Sequence, residues 1–207
     1  MNILQQKNLS SFFGKFLETS SVFSNKDLLK ASYIPEDILH RSEQVEQAAN
    51  ILAPSLKLEQ PSNVFVYGKT GTGKTATIKH ILKAIQGIAS ERSIPVKWFY
   101  VNCKLKRVAD TEYRLIANLA EQLGKALPPT GLPTQEIYNA FFKALDKEKQ
   151  HVIIVLDEID QLVNKTGDEV LYNLTRINEH IKQASISIIG ISNDLMLIDR
   201  LEPRVRS

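Results

Sequence analysis

The sequence predicts an α/β fold built on a mostly parallel sheet with helices on both faces, and three observations carry that reading. From residue 64 onward, short apolar runs alternate with longer segments of helical period, the pattern of strand–helix–strand units. The first run ends in a glycine-rich turn that opens directly into a helix, and a later one, His151–Leu156, ends in adjacent carboxylates. These runs are continuously apolar rather than alternating, as strands buried on both faces are.

Composition narrows the possibilities. At about 150 residues per domain, the 207 residues make one full domain and part of another. Hydrophobic residues make up 43% and charged residues 24%, so a core can form and wholesale disorder is excluded. The net charge of +3 is too mild to identify a nucleic-acid partner. Its distribution is uneven: seven basic residues and one acid, Glu91, lie between Lys79 and Arg107, giving that stretch +6 and the remainder −3. One basic surface is expected there. The single cysteine, Cys103, excludes an intramolecular disulfide, and its place after an apolar run predicts a buried thiol in a reducing compartment. No apolar run suits a bilayer span and no secretory leader is visible at the N-terminus. The expected protein is soluble and cytoplasmic, with no membrane partner.

The elements follow in order. Residues 1–32 read as an N-terminal extension in which Leu9, Phe12, Phe13, Phe16 and Leu17 share one helical face, suited to packing on its own domain or to docking on a partner. Pro35 forces Tyr33-Ile34-Pro35 into an extended path. A helix from Ser42 carries Val45, Ala48, Ala49 and Leu52 and ends near Pro54. Val64–Tyr67 is the first strand, Thr75–Ala89 a helix and Lys97–Asn102 the second strand. Two helices, Thr111–Gly124 and Thr134–Lys147, flank the turn Pro128-Pro129-Thr130-Gly131. His151–Leu156 and Ser185–Ile191 complete the strands, and Val170, Leu174, Ile177 and Ile181 form the inward stripe of one helix between them.

The segment Gly68-Lys69-Thr70-Gly71-Thr72-Gly73-Lys74-Thr75 satisfies G-x-x-x-x-G-K-[ST] between a strand and a helix. Glycines let such a backbone curl so that successive N–H groups point at a phosphate, and the helix adds the positive end of its dipole. The candidate nucleotide ligands are Gly68, Thr70, Gly71, Thr72 and Gly73, with Lys74, Thr75 and Ala76 at the start of the helix. Lys74 reaches the β- and γ-phosphates, and Thr75 coordinates Mg2+. Asp157, at a strand end where ligands collect in doubly wound sheets, is the second candidate Mg2+ ligand. Glu158 is the candidate for orienting and deprotonating the attacking water. The same acids also suit the start of a helix. Asp160 reads as structural. Asn193, just past the fourth strand, can hydrogen-bond the γ-phosphate or the water, and is also a common turn residue. Arg200, Arg204 and Arg206 offer a candidate arginine finger or a solvated face. His80, His151 and His180 have no metal-ligand spacing, and Trp98 reads as core.

Gly68–Thr75, Leu156-Asp157-Glu158-Ile159-Asp160, Ile191-Ser192-Asn193 and Glu202-Pro203-Arg204 together resemble the AAA+ ATPases. Tyr33-Ile34-Pro35-Glu36 and His40-Arg41-Ser42-Glu43-Gln44 narrow the resemblance to the archaeal and eukaryotic origin-recognition and replication-initiator group. The resemblance implies a P-loop three-layer sandwich over residues 33–207. It also implies nucleotide contacts from Tyr33, Ile34, Pro35 and Arg41, a polar sensor at Asn193 and a finger at Arg204. ATP or ADP with Mg2+ would be the cofactors. Double-stranded origin DNA, other initiator subunits and the replicative helicase would be the partners, in the nucleoid or, in a eukaryote, the nucleus. Within residues 107–147, which exceed one crossover helix, it implies a DNA-contacting insertion near Pro129–Leu132. The chain stops where the family continues into a fifth strand, a helical lid and a winged-helix domain. The expectation is therefore an incomplete core whose first strand is an edge. The implied function is a slow, Mg-dependent ATPase that switches origin recognition. The alternatives are an AAA+ transposition or helicase-loading ATPase, and a DNA-binding module that keeps nucleotide as a structural ligand.

Overall fold

The computed structural model describes residues 3–18, 38, 40–105, 108–128 and 130–203. The chain divides into two compact units, Met1–Ile34 and Pro35–Ser207. In the first, α1 (Ile3–Glu18) carries Leu9, Phe12, Phe13, Phe16 and Leu17 as exposed side chains.

The second unit is a four-stranded, wholly parallel sheet of β1 (Val64–Tyr67), β2 (Val96–Asn102), β3 (His151–Asp157) and β4 (Ser185–Ser192) in the order β1-β4-β3-β2. Among the described strands, β1 lies at one edge of the sheet and β2 at the other. All of β3 and nearly all of β4 is buried, which explains their unbroken apolar character. Alternate side chains feed two cores. Val152, Ile154 and Leu156 face α4 (Glu112–Gln122), α5 (Thr134–Leu145), α6 (Ile159–Thr166) and α7 (Glu169–Thr175). Ile153 and Val155 face α2 (Ser42–Leu52) and α3 (Lys74–Glu91). The result is a three-layer sandwich, completed by the short α8 (Leu197–Arg200).

Local chemistry sets the boundaries. Gly73, with φ 82°, caps α3, and Thr111 Oγ1 accepts from Arg114 N–H at 3.2 Å to cap α4. β4 extends beyond its neighbour β1 at its amino end, and two asparagines substitute for the missing strand. Asn63 Oδ1 accepts from Ile188 N–H at 2.9 Å. Asn178 brackets Ile186, accepting its N–H at 2.8 Å and donating to its carbonyl at 2.9 Å. Buried backbone groups are thereby satisfied.

Two expectations differ from the structure. The single helix expected over Val170, Leu174, Ile177 and Ile181 is instead α7 followed by a 3-10 turn at Ile177–Glu179, with α6 a separate helix before them. Gly167, at φ 77°, ends α6 with its N–H on Val163 O. The four apolar residues are still buried, because a helix and a turn can present one stripe together. The expected single basic surface is also dispersed: Lys97 pairs with Glu148 at the start of β2, whereas Lys104 pairs with Glu158 beyond its end. A charge run shares one face only if its backbone stays on one side of the fold, and this run crosses the sheet.

Candidate nucleotide site

Strand register assembles the site. Asn102 pairs with Asp157, Asp157 with Ile191, and Tyr67 with Ser192. The residues that follow β1, β3 and β4, namely Gly68, Glu158 and Asn193, therefore emerge along one carboxyl edge, where ligands bind in open parallel sheets.

The loop after β1 curls through Gly71 at φ 79° and Gly73 at φ 82°, conformations that side chains oppose. Thr72 Oγ1 donates to Lys69 O at 2.8 Å and braces the curl. Lys74 is only 7% exposed, and a buried ammonium needs acceptors. It has three: Nζ donates to Gly68 O at 2.8 Å, Lys69 O at 3.0 Å and Asn193 Oδ1 at 2.8 Å. Lys74 thus joins the loop to the end of β4, 119 residues away.

Asp157 is 5% exposed and lies on the sheet face that packs on α3. Its Oδ2 accepts from Thr75 Oγ1 at 2.8 Å and from the Tyr100 hydroxyl at 2.7 Å, and its Oδ1 from Glu158 N–H at 2.9 Å. Glu158 adopts φ 53° and ψ 45°, a left-handed conformation costing about 1–2 kcal/mol in a non-glycine residue. Such strain persists where the surroundings over-determine it, commonly at functional sites. Its carboxylate lies 3.5 Å from Lys104 Nζ. Asp160 Oδ1 accepts from Ser192 Oγ at 3.0 Å and from Asn193 N–H at 3.4 Å, orienting the segment that presents Asn193 to Lys74. Cys103 is buried, and burial together with Asp157 pushes its thiol up to about 12. It is inert at neutral pH.

Beside the loop opens a cleft of about 600 Å³ lined by Arg41, Gln44, Ile51, Tyr67, Thr72 and Lys74 among others. Arg41 reaches the loop: a methyl group on Gly73 would lie 3.6 Å from its Nε. The structure thus brings together Arg41, Lys74, Thr75, Asp157, Glu158 and Asn193. Gly68, Thr70, Gly71, Thr72, Gly73 and Ala76 complete the loop and the first turn of α3. Tyr33, Ile34, Pro35, Pro129 and Arg204 lie outside the described residues, as do Lys106 and Arg107 of the basic run.

The site fits a magnesium nucleotide. Mg2+ is held by one or two protein oxygens together with phosphate and water rather than by a protein cage. Thr75 Oγ1 and Asp157 Oδ2, 2.8 Å apart, are such a pair, and among the described residues no cluster of three or more His, Cys, Asp or Glu suits a metal. Sequence reasoning gives Tyr100 no role and places Lys79 and Lys104 only in the basic run, Lys104 as a candidate DNA-phosphate contact, whereas here they stand beside Tyr100 and Glu158. Tyr100 sits two places before the end of a strand with its ring on the α3 side, a placement readable from alternation only once the register with β3 is known.

Comparison with known proteins agrees with this architecture. The AAA domain family matches residues 57–195. The ORC1-type DNA replication protein of Pyrococcus horikoshii is 48% identical over 211 residues, covering 100% of this chain and 50% of that protein. ORC1-type DNA replication protein 1 of Methanosarcina mazei is 45% identical over 205 residues, covering 99% and 49%. The chain spans about half the length of the curated relatives it matches. Among solved structures, the Aeropyrum pernix ORC1 protein in complex with DNA superposes with a TM-score of 0.83 at 39% identity, covering 91% of this chain and 48% of that one. Among the described residues, no helix is long and apolar enough to cross a membrane. The family match takes in the glycine-rich loop, the acidic strand end and Asn193, and nearly half the residues are identical to those of ORC1-type DNA replication proteins over about half of their length, so this chain belongs to the AAA domain family and is similar to those proteins.

Proposed function

We propose that the chain is the nucleotide-operated core of a replication initiator, binding ATP at the Gly68–Thr75 loop, hydrolysing it slowly and coupling the nucleotide state to double-stranded origin DNA. The observation that carries this reading is the pre-formed grip on Lys74, whose ammonium is aimed across the loop by two of the loop's own carbonyls and by Asn193. A bound MgATP supplies the phosphoanhydride and a metal charge that stabilises the transferring phosphoryl group. The chain's residues do the rest. Lys74 exchanges carbonyl acceptors for phosphate oxygens, and Thr75 and Asp157 hold the metal. Glu158, fixed by its strained backbone, takes the proton of the attacking water. Asn193 links that event to β4, and Arg204 of a neighbouring subunit is the finger. Arg41, with Tyr33, Ile34 and Pro35, contacts the base and ribose.

DNA enters from the relatives. The Aeropyrum pernix ORC1 protein was solved on DNA, and residues 107–147 are the segment we assign to that contact here. Much of this segment has a structural role, since Leu115, Ile116, Leu119, Ile137, Phe141 and Leu145 are fully buried. The contact then falls to the turn between α4 and α5, where Lys125 and Thr130 are exposed, whereas Leu132 packs partly against the core. Other initiator subunits and the replicative helicase complete the proposed partners, in the nucleoid or nucleus.

One observation favours the alternative in which nucleotide is only a structural ligand. Glu158 is paired with Lys104 at 3.5 Å, an ammonium that competes with an attacking water for the carboxylate. Calorimetric titration with ATP and ADP in magnesium buffer, followed by phosphate release over a range of protein concentrations, separates the readings. Binding with concentration-dependent release supports the switch. Binding without release at any concentration supports the structural ligand, and no binding removes both. DNA affinity should fall steeply as salt rises, because phosphate contacts release counterions.

A further inference from the structure

Asp157 is held by three donors, and the motifs account for only two of them. Thr75 Oγ1 and the Glu158 amide belong to the phosphate loop and the acidic strand end. The third, the Tyr100 hydroxyl 2.7 Å from Oδ2, comes from β2. Tyr100 pairs in register with Val155, so its ring lies on the α3 face and its hydroxyl reaches along the sheet to the strand end. The ring is clamped from the other side: Lys79 Nζ lies 3.7 Å from its centroid, and Lys79 follows Thr75 by one helical turn on α3. A phenol is an O–H donor throughout the neutral range, and here it donates to the carboxylate.

Thr75 and Tyr100 share one carboxylate oxygen, yet their tasks differ. A hydroxyl that also coordinates a metal cannot alone set the rotation of the carboxylate beside it, whereas a phenol anchored in a neighbouring strand can. Partners that orient a metal ligand from behind commonly change metal affinity by 10–100-fold when removed.

We propose that Tyr100 is a positioning residue for the magnesium site, fixing Asp157 Oδ2 independently of Thr75. This rests on the nucleotide reading above and deepens it. The test is Tyr100→Phe, which keeps the ring under Lys79 and removes only the hydroxyl. The dissociation constant of a fluorescent ADP analogue is measured for the whole chain in EDTA and across a Mg2+ titration. The expected result is an EDTA affinity within about twofold of the parent, and a Mg2+ concentration for half-maximal enhancement raised about tenfold. An unchanged Mg2+ dependence overturns the proposal. So does an equal loss with and without Mg2+, which marks a structural role. If the parent chain itself binds no ADP in either buffer, the nucleotide reading fails instead, and that outcome is visible before any variant is compared.

Discussion

At the carboxyl end of β3 and β4 the chain buries charges, and at the amino end of the same strands it buries neutral polar groups. Lys74 and Asp157 are each held by three hydrogen bonds at one end. His151, fully buried at the other, sits between Ser185 Oγ at 2.7 Å from Nδ1 and Ser187 Oγ at 3.1 Å from Nε2. Beside it Gln150 Nε2 donates to Leu145 O at 2.8 Å, while its buried Oε1 accepts from none of the described residues. Burial pushes the His151 imidazole down to about 4, so the ring is neutral at pH 7. The lesson lies in the partners. The carboxyl end opens on a cleft where phosphate and metal can replace carbonyl and hydroxyl partners, whereas the amino end is closed.

The first way to break this comparison is Lys74→Ala. Removing two to three charged hydrogen bonds should cost about 4 kcal/mol of nucleotide affinity, nearly a thousandfold in Kd; calorimetry showing less than a tenfold change would place the phosphates elsewhere. Glu158→Gln should leave that Kd within about twofold and slow phosphate release by at least about a hundredfold. Retained hydrolysis would remove Glu158 as the base.

The amino end is tested by acid. The folded His151 binds a proton less readily than the unfolded one, so its contribution is complete above an unfolded value of 6.5 and is lost as pH falls towards about 4. The loss amounts to about 3 kcal/mol. Urea midpoints at pH 7 and 4.5 should show it, and His151→Asn should flatten the difference. Asp146, whose carboxylate is held low chiefly by the Ala184 N–H and also by those of Gln183 and Lys182, acts in a lower window, below its ordinary 3.8. The two effects separate by pH.

A smaller effect sharpens the boundary between the ends. Gly190 lies where a methyl group would meet Ile159 Cδ1 and Phe65 Cδ2, both at 3.1 Å. Gly190→Ala should lower stability by about 1–2 kcal/mol, read as a denaturation midpoint, with nucleotide affinity little changed. The smallest effect is expected at Lys104. Its pair with Glu158 is 68% exposed on the lysine side, so Lys104→Ala should shift stability by less than about 0.5 kcal/mol; a larger shift would show that the pair braces the strained Glu158.

Most of the architecture was legible because its signals are contiguous. Gly68–Thr75 is one uninterrupted segment whose glycines, lysine and threonine act through their own backbone and the following helix, so spacing alone predicts a phosphate cradle. The apolar runs at Val64–Tyr67 and His151–Leu156 declare buried strands for the same local reason. The helix expected over residues 170–181 stops at Thr175 instead, because a buried stripe keeps the same period whether the backbone continues as a helix or as a 3-10 turn. The basic run was misread because charge counting does not record the direction of the chain.

Linear order by itself determined that this chain has a glycine-rich loop of phosphate-binding pattern, an acidic strand end and a polar residue after the fourth strand, since each is written in neighbouring residues. Only the tertiary structure decided that Asn193 grips Lys74, that Asp160 steadies Asn193, and that Tyr100 and Lys79 stand behind Asp157. Those contacts join segments tens of residues apart. They depend on strand register and on which sheet face a side chain occupies, and both are set by packing the two cores together rather than by any local preference.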